Sequence, residues 1–476
     1  MTRPEFDQVG RVGELVLPPE LMRRVALFIP DVATFFSFLE TYDSAGILGD
    51  LGMIRILGES CLYEKLWPDL HVGTRPESPR ASQMLVVAKH YSHFALSGVV
   101  DVAWMQELCR VAPATDLHAT DIRPAWKEAM EPFVDALAKL PLTRATFSIP
   151  RSEIWVPFLP RLCDSLRSLR FTFHDHTGLQ PSQLGTLLEF VCGSSQITNL
   201  TLENDPFSPL HVVTTAMVGH LTKWFHLAPV THFRVGQWQL AEVDPSALTS
   251  LYDAWATCST LEALVVVETK LLHLEAFPHP LPMATVQLID CDLSLDAMNA
   301  FGLALHESNV ESLSISHRET FKGASSGHVV RGIRNHLGNS FGFARCLHRV
   351  VLSGLKCRDK GCVHLAAILS STPIRHLDLS RNHITDIGAA AMSLHLRAAP
   401  CLKDLVMDGN CLTVVGALDL ARAAVARNLS SLSITNNQYD LSDVDALKVV
   451  AQQHGNALRL SYKSTTSSKF FKRLPT

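Results

Sequence analysis

The chain has 476 residues, 47% of them apolar, which is ample for a large packed core. Its 42 basic and 46 acidic residues leave a net charge of -4, and this excludes a whole-chain attraction to nucleic acid or membrane. The first twenty residues lack the apolar core of a secretory leader, no run of roughly 18 apolar residues occurs, and the eleven cysteines include no Cys-x-x-Cys pair. The expectation is a soluble, cytoplasmic chain whose cysteines are small buried apolar residues, with no disulfide, metal or cofactor. The sequons at Asn199 and Asn428 carry no weight without a secretory route.

Residues 17 to 42 read LPPELMRRVALFIPDVATFFSFLETY. Pro18 or Pro19 suits the first turn of a helix whose Leu21, Val25, Phe28 and Ile29 share one face. Pro30 stops it, and Asp31 is placed to cap a second helix carrying Phe35, Phe36 and Leu39. Such a hairpin either caps the open edge of whatever follows or presents an apolar face to a partner, and only its exposure separates the two. Leu17, Pro18, Glu20, Ile29, Pro30 and Asp31 match the opening of an F-box, which this stretch resembles. The resemblance covers residues 17 to 42; beyond them the glycine-rich DSAGILGDLG departs from the pattern, and Trp67 falls later than the family's tryptophan. It implies that Leu17, Pro18, Leu21, Ile29, Pro30 and Phe35 hold the adaptor subunit of a cullin-RING ubiquitin ligase.

From residue 66 the candidate strands are LWPDLHV, ATDLHATDI and LTRATFSI, separated by the helical WMQELCRVA and PAWKEAMEPFVDALAKL. A frame L-x-x-L-x-L then returns at LRSLRF, ITNLTL, VTHFRV, LEALVV, MATVQL and VESLSI, beginning at residues 166, 197, 230, 261, 283 and 310. It is most regular in LHRVVL, IRHLDL, LKDLVM and LSSLSI, whose last apolar members Leu352, Leu379, Met407 and Ile434 recur at steps of 27, 28 and 27. Each strand pattern is followed by a helical one. This period and frame resemble the ribonuclease-inhibitor-like leucine-rich repeats, most closely over residues 347 to 447. The predicted fold is therefore α/β: a curved solenoid with a parallel sheet on the concave face, helices on the convex face and a small helical cap at its N-terminus. The domains read as an F-box-like helical region over 1 to 65, the solenoid over 66 to 462 (degenerate to about 165), and a basic, frayed tail over 463 to 476.

Asn382, Asn410 and Asn437 each stand three residues after the last apolar strand residue, where an amide can satisfy turning backbone, so a hydrogen-bonded ladder is expected. Gly361, Gly388 and Gly416 share one register, four residues before the helix residues Leu365, Met392 and Leu420, where a missing side chain permits close packing or a special turn, and Thr385 suits a helix cap. The step from Ile315 to Leu352 is 37, and between His317 and Arg349 stand six basic residues (Arg318, Lys322, Arg331, Arg334, Arg345, Arg349) against Glu319 alone. That elongated unit is either a docking site for an acidic partner or a solvated helix face. GASSG at 323 to 327 fits G-x-S-x-G but lacks the preceding strand of a nucleophile elbow, so Ser325 is read as a loop residue. His174 and His176 have no third ligand spaced nearby. Phosphate-loop, dinucleotide and zinc-protease motifs are absent from the sequence, and no enzyme activity is expected.

On the concave face the outward rows read Ser312, Arg349, His376, Asp404 and Ser431; Ser314, Val351, Asp378, Val406 and Ser433; and Ser316, Ser353, Ser380, Asp408 and Thr435, with Arg381 beside them. The rows lack aromatic platforms and a continuous basic stripe, which favours a protein over a nucleic acid as partner. Arg349, His376, Asp378, Ser380, Arg381, Asp404 and Asp408 are the expected contacts. The function anticipated is substrate recognition for an SCF-type ubiquitin ligase; the alternatives are a scaffold without a ligase link and an activator of a small GTPase, although that family's acidic tail is basic here. Lys469, Lys472 and Arg473 leave a nuclear address open.

Overall fold

The computed structural model describes residues 18–42, 48–112, 116–124, 130–149, 156–162, 165–173, 181–204, 210–318, 338–439, 445–447, 449–450 and 459–461. Leu17, His174, His176, Ser325, Lys322, Arg331, Arg334 and the tail from 463 lie outside them. Two compact units are present, Met1–Phe147 with Asp164–Leu166, and Ser148–Cys163 with Arg167–Thr476.

The first unit opens with α1 (Pro19–Leu27), α2 (Val32–Tyr42) and α3 (Gly52–Gly58). Proline is tolerated at the start of α1 because the first N–H groups of a helix have no partner anyway. Asp31 caps α2: its carboxylate accepts from the Thr34 amide at 2.8 Å and the Thr34 hydroxyl at 2.6 Å, which holds its pKa below the usual carboxylate range. Two aromatic pairs close the hairpin. Phe35 stacks on Trp67 with ring centroids 3.9 Å apart, Phe36 stacks on Tyr63 at 3.7 Å, and the Trp67 indole N–H donates to the Ile29 carbonyl at 2.7 Å. Four parallel strands follow, β1 (Leu70–Val72), β2 (His93–Val99), β3 (Asp116–Arg123) and β4 (Leu142–Ile149). Leu70, Phe94, Leu117 and Leu142 stand side by side and buried. β2 and the helix Ser78–Ala88 before it are additions to the sequence reading.

Among its described residues the second unit has eleven parallel strands in one sheet, in chain order: β5 (Ser168–Phe173), β6 (Asn199–Asn204), β8 (His232–Gly236), β10 (Ala263–Val267), β11 (Thr285–Ile289), β12 (Ser312–Ser316), β13 (Arg349–Ser353), β14 (His376–Asp378), β15 (Asp404–Val406), β16 (Ser431–Ser433) and β17 (Arg459–Ser461). The short β7 (His211–Val212) and β9 (Trp238–Gln239) pair separately. Helices such as Pro181–Gly193, Asp386–Leu396 and Val414–Arg427 return the chain between strands. Leu264, Val286, Leu313, Val350, Leu377, Leu405 and Leu432 form one continuous buried row, and Leu352, Leu379, Met407 and Ile434 form the next. Burial of each such leucine stabilises by about 1.5–3 kcal/mol, and no strand buries its row without both neighbours.

Three asparagines stitch the C-terminal rungs together. The Asn382 side-chain oxygen accepts from the Leu355 and Cys357 amides at 3.0 and 3.2 Å, and its amide donates to the Ser380 carbonyl. Asn410 accepts from the Asn382 and Ile384 amides at 2.9 and 3.1 Å, and Asn437 accepts from Leu412 at 3.2 Å. A second ladder runs at the helix starts: Asp359 accepts from the Thr385 amide and hydroxyl at 2.8 and 2.9 Å, and Asp386 from those of Thr413 at 2.9 and 2.6 Å. Thr385 itself caps its helix by accepting from the Ile387 amide.

The residue that leaves each strand takes left-handed backbone in rung after rung: Gln237, Glu268, Asp290, Gly354, Arg381, Gly409 and Asn436. The rung of β12 departs from this column, with His317 in the equivalent place. A Cβ added at Gly354 would lie 2.0 Å from the His317 carbonyl oxygen, so glycine is required where the column resumes.

Candidate protein-binding surfaces

Strand alternation sends every second side chain of the second unit outward. The register places Ser312, Arg349, His376, Asp404 and Ser431 in one row and Ser314, Val351, Asp378, Val406 and Ser433 in the next. Ser316 and Ser353 begin the third row, continued past the strand ends by Ser380, Asp408 and Thr435. The sequence-derived contact residues thus lie on one surface, although Ser380 is buried, with its amide and hydroxyl both donating to Asp378. Arg349 and Arg381 are exposed.

Hydroxyl groups hold the carboxylates of this surface. Asp404 accepts from the Ser431 hydroxyl at 2.6 Å; Asp408 accepts from the Ser433 hydroxyl at 2.8 Å and the Thr435 amide at 2.6 Å. Side chains fixed in this way are preorganised for recognition, so less rotamer entropy is lost on binding. His376 lies 4.0 Å from Asp404; burial lowers its pKa and Arg349 adds to the effect, against Asp404 and Asp378. Toward the other end of the sheet Glu203 bridges Arg170, at 2.8 Å, and Arg234.

The three described basic residues around the long rung, Arg318, Arg345 and Arg349, separate in space. Arg318 is committed to a clamp: its amide and Nε donate to buried Asp290 at 2.5 Å each, and a terminal nitrogen donates to Glu268 at 2.7 Å. Gln237 donates to the same Glu268 at 2.6 Å. Arg349 stands on the strand surface, and Arg345 lies before β13, at the end of the strands away from the clamp.

Burial also lowers the pKa of His317 beside the clamp, more than Asp290 and Asp292 raise it. At these two imidazoles the unfolded chain therefore binds more protons than the folded one once the pH falls below about 6.5. The melting temperature is expected to fall as the pH drops below that value, and the double variant His317→Gln, His376→Gln to flatten the dependence. Equal slopes for the two proteins would show that these imidazoles do not set it.

In the first unit the predicted adaptor-binding residues divide. Leu21, Val25 and Phe28 are 43%, 39% and 84% exposed, whereas Met22 and Ala26 face inward. Ile29 is half-buried and Pro18 and Pro30 are exposed. Phe35 is fully buried against Trp67, so it packs the hairpin internally; its stacking partner comes from beyond residue 60.

Among the described residues no group of three or more His, Cys, Asp or Glu is placed to hold a metal, and no helix is long and apolar enough to cross a membrane. Burial pushes the thiols of Cys291 and Cys357 up to about 12, away from reactive thiolate.

Residues 370–393 match the family model described as Leucine Rich repeat. This stretch, which contains β14, is a leucine-rich repeat. No curated protein matches the chain. Among solved structures, the chain is similar to leiomodin-1 actin-binding site 2, at 21% identity over 23% of this chain and 65% of that one, with a TM-score of 0.21. It therefore spans 65% of that structure's own length. A Bacteroides fragilis protein is 11% identical over 70% of this chain and 77% of its own, with a TM-score of 0.34. An internalin from Listeria monocytogenes is 14% identical over 87% and 94%, with a TM-score of 0.33. Leucine-rich-repeat arrays bind proteins on surfaces of this kind.

Proposed function

We propose that this leucine-rich-repeat protein is the substrate-recognition subunit of an SCF-type ubiquitin ligase, working in the cytoplasm without chemistry of its own. In this reading α1 docks the cullin-RING adaptor, and the outward rows of the second unit hold a protein substrate. One observation carries it: Leu21, Val25 and Phe28 follow helical spacing and point outward. A helix that merely capped a solenoid edge would turn this stripe inward, since exposed apolar patches of this sort mark interaction sites. The proline and aspartate that stop α1 and start α2 set the hairpin geometry that an adaptor would read.

The test is capture of a purified cullin-RING adaptor subunit by the full chain. The double variant Leu21→Asp, Phe28→Asp is expected to abolish capture while leaving the chain folded, because Phe28 is 84% and Leu21 43% exposed. Capture undiminished by the double variant, or no capture by the unaltered chain, removes the ligase assignment and leaves a scaffold.

A further inference from the structure

A cleft of about 490 Å³ opens in the second unit where three successive connections enter β11, β12 and β13. Its walls are Phe277 and the prolines around His279 from the first connection, Leu303, His306 and Glu307 from the second, and Phe343 and Arg345 from the third. This is the end of the strands away from the Arg318 clamp, and none of these side chains belongs to the outward strand rows.

The cleft is both greasy and charged. Leu303 is 57% and Phe343 62% exposed, an unusual pair to leave in water, and the ring of His306 lies against that of Phe343 with centroids 4.7 Å apart. Phe277 is anchored from behind by an edge contact to buried Phe301 at 5.1 Å. Arg345 is exposed and makes no ion pair among the described residues. Its guanidinium stands in the cleft wall with the imidazoles of His279 and His306 and the single carboxylate of Glu307. Apolar walls with a few polar groups converging on them make a recognition pocket, and a bare guanidinium on its rim selects for carboxylate.

We infer that this cleft is a second recognition site, for a segment of a partner protein in which a bulky apolar residue is flanked by acidic ones. The apolar side chain inserts between Leu303 and Phe343, and a neighbouring carboxylate pairs with Arg345. The volume accommodates one or two large side chains, which suits a short linear motif. Of the described basic residues around this long rung, Arg345 is the one in the cleft, and Arg318 is spent on Asp290 and Glu268. The inference does not depend on the adaptor assignment, because α1 belongs to the other compact unit.

The probes are two fluorescein-labelled peptides, Glu-Asp-Leu-Phe-Glu-Asp and its counterpart with lysine at the four acidic positions, titrated against the full chain by fluorescence anisotropy. The acidic peptide is expected to bind at least about tenfold more tightly than the lysine peptide. Arg345→Glu is expected to reverse that order and Phe343→Asp to weaken the acidic peptide about tenfold, both without a change in melting temperature. Equal binding of the two peptides, or an order unmoved by Arg345→Glu, overturns the proposal. So does a concentration-dependent dimer in sedimentation that dissociates on Phe343→Asp, since the cleft would then belong to a second copy of this chain.

Discussion

Asn410→Ala is expected to lower the stability of the second unit by about 4 kcal/mol, because it strands two buried amide donors whose loss of partners costs about 1–3 kcal/mol each, along with two carbonyl acceptors. The donors are the backbone N–H groups of Asn382 and Ile384, both fully buried. The acceptors are the carbonyls of Leu379 and Met407, each 3.0 Å from the Asn410 amide nitrogen. In the folded chain these groups are buried, and no neighbouring side chain substitutes for an amide that accepts and donates at once. In a stacked array the damage spreads, since each rung is held only by its neighbours. A urea titration followed by circular dichroism should show the midpoint move sharply, whereas Gln438→Ala, at an exposed side chain next to Asn437, should stay within about 0.5 kcal/mol of the unaltered chain. A change below about 1 kcal/mol for Asn410→Ala would mean that the turns carry their own hydrogen bonds without the ladder.

The ladder was legible because its signal is local and periodic: an asparagine three residues past a strand, three times over, in register with leucines. The same period exposes the strand rows, so the outward residues could be named from spacing alone. What stayed hidden depends on partners far along the chain. Arg318 looks like part of a basic patch until Asp290 and Glu268 are seen to hold it from 28 and 50 residues away. Phe35 looks like a docking residue until Trp67 and Tyr63 come back to fill the hairpin. The strand β2 escaped notice because Tyr91 stands where the frame expects its first leucine, and a left-handed Gly98 breaks its far end. The cleft beside Phe343 is invisible to any periodic reading, since its walls are three connections that share no pattern and meet only when the rungs stack.

Substitution of a helical glycine by alanine ordinarily stabilises by up to about 1 kcal/mol, yet here the sign is expected to depend on which rung carries it. Gly219, inside the helix Thr215–Leu227, has open space where a Cβ would go, so Gly219→Ala should raise the melting temperature. Gly388 is the opposite case. A Cβ there would stand 2.5 Å from Ile384 Cγ2, 2.8 Å from Asp359 Oδ1 and 3.3 Å from Cys362 Cβ, a box with a side on each of two rungs. The Asp359 carboxylate cannot swing aside freely, because it accepts from the amides of Thr385 and Gly388 and from the Thr385 hydroxyl. Overpacking of a tight site costs about 1–3 kcal/mol, and the displaced aspartate loses hydrogen bonds of about 1 kcal/mol each, so Gly388→Ala should be destabilising by about 3 kcal/mol after the propensity gain is set against it. Adding Asp359→Ala to Gly388→Ala should cost less than the two single losses together, because the carboxylate that the new methyl displaces is already gone. Additive losses in that double variant, or stabilisation by Gly388→Ala alone, would show that the glycine column follows from something other than the carboxylate reaching across from the preceding helix.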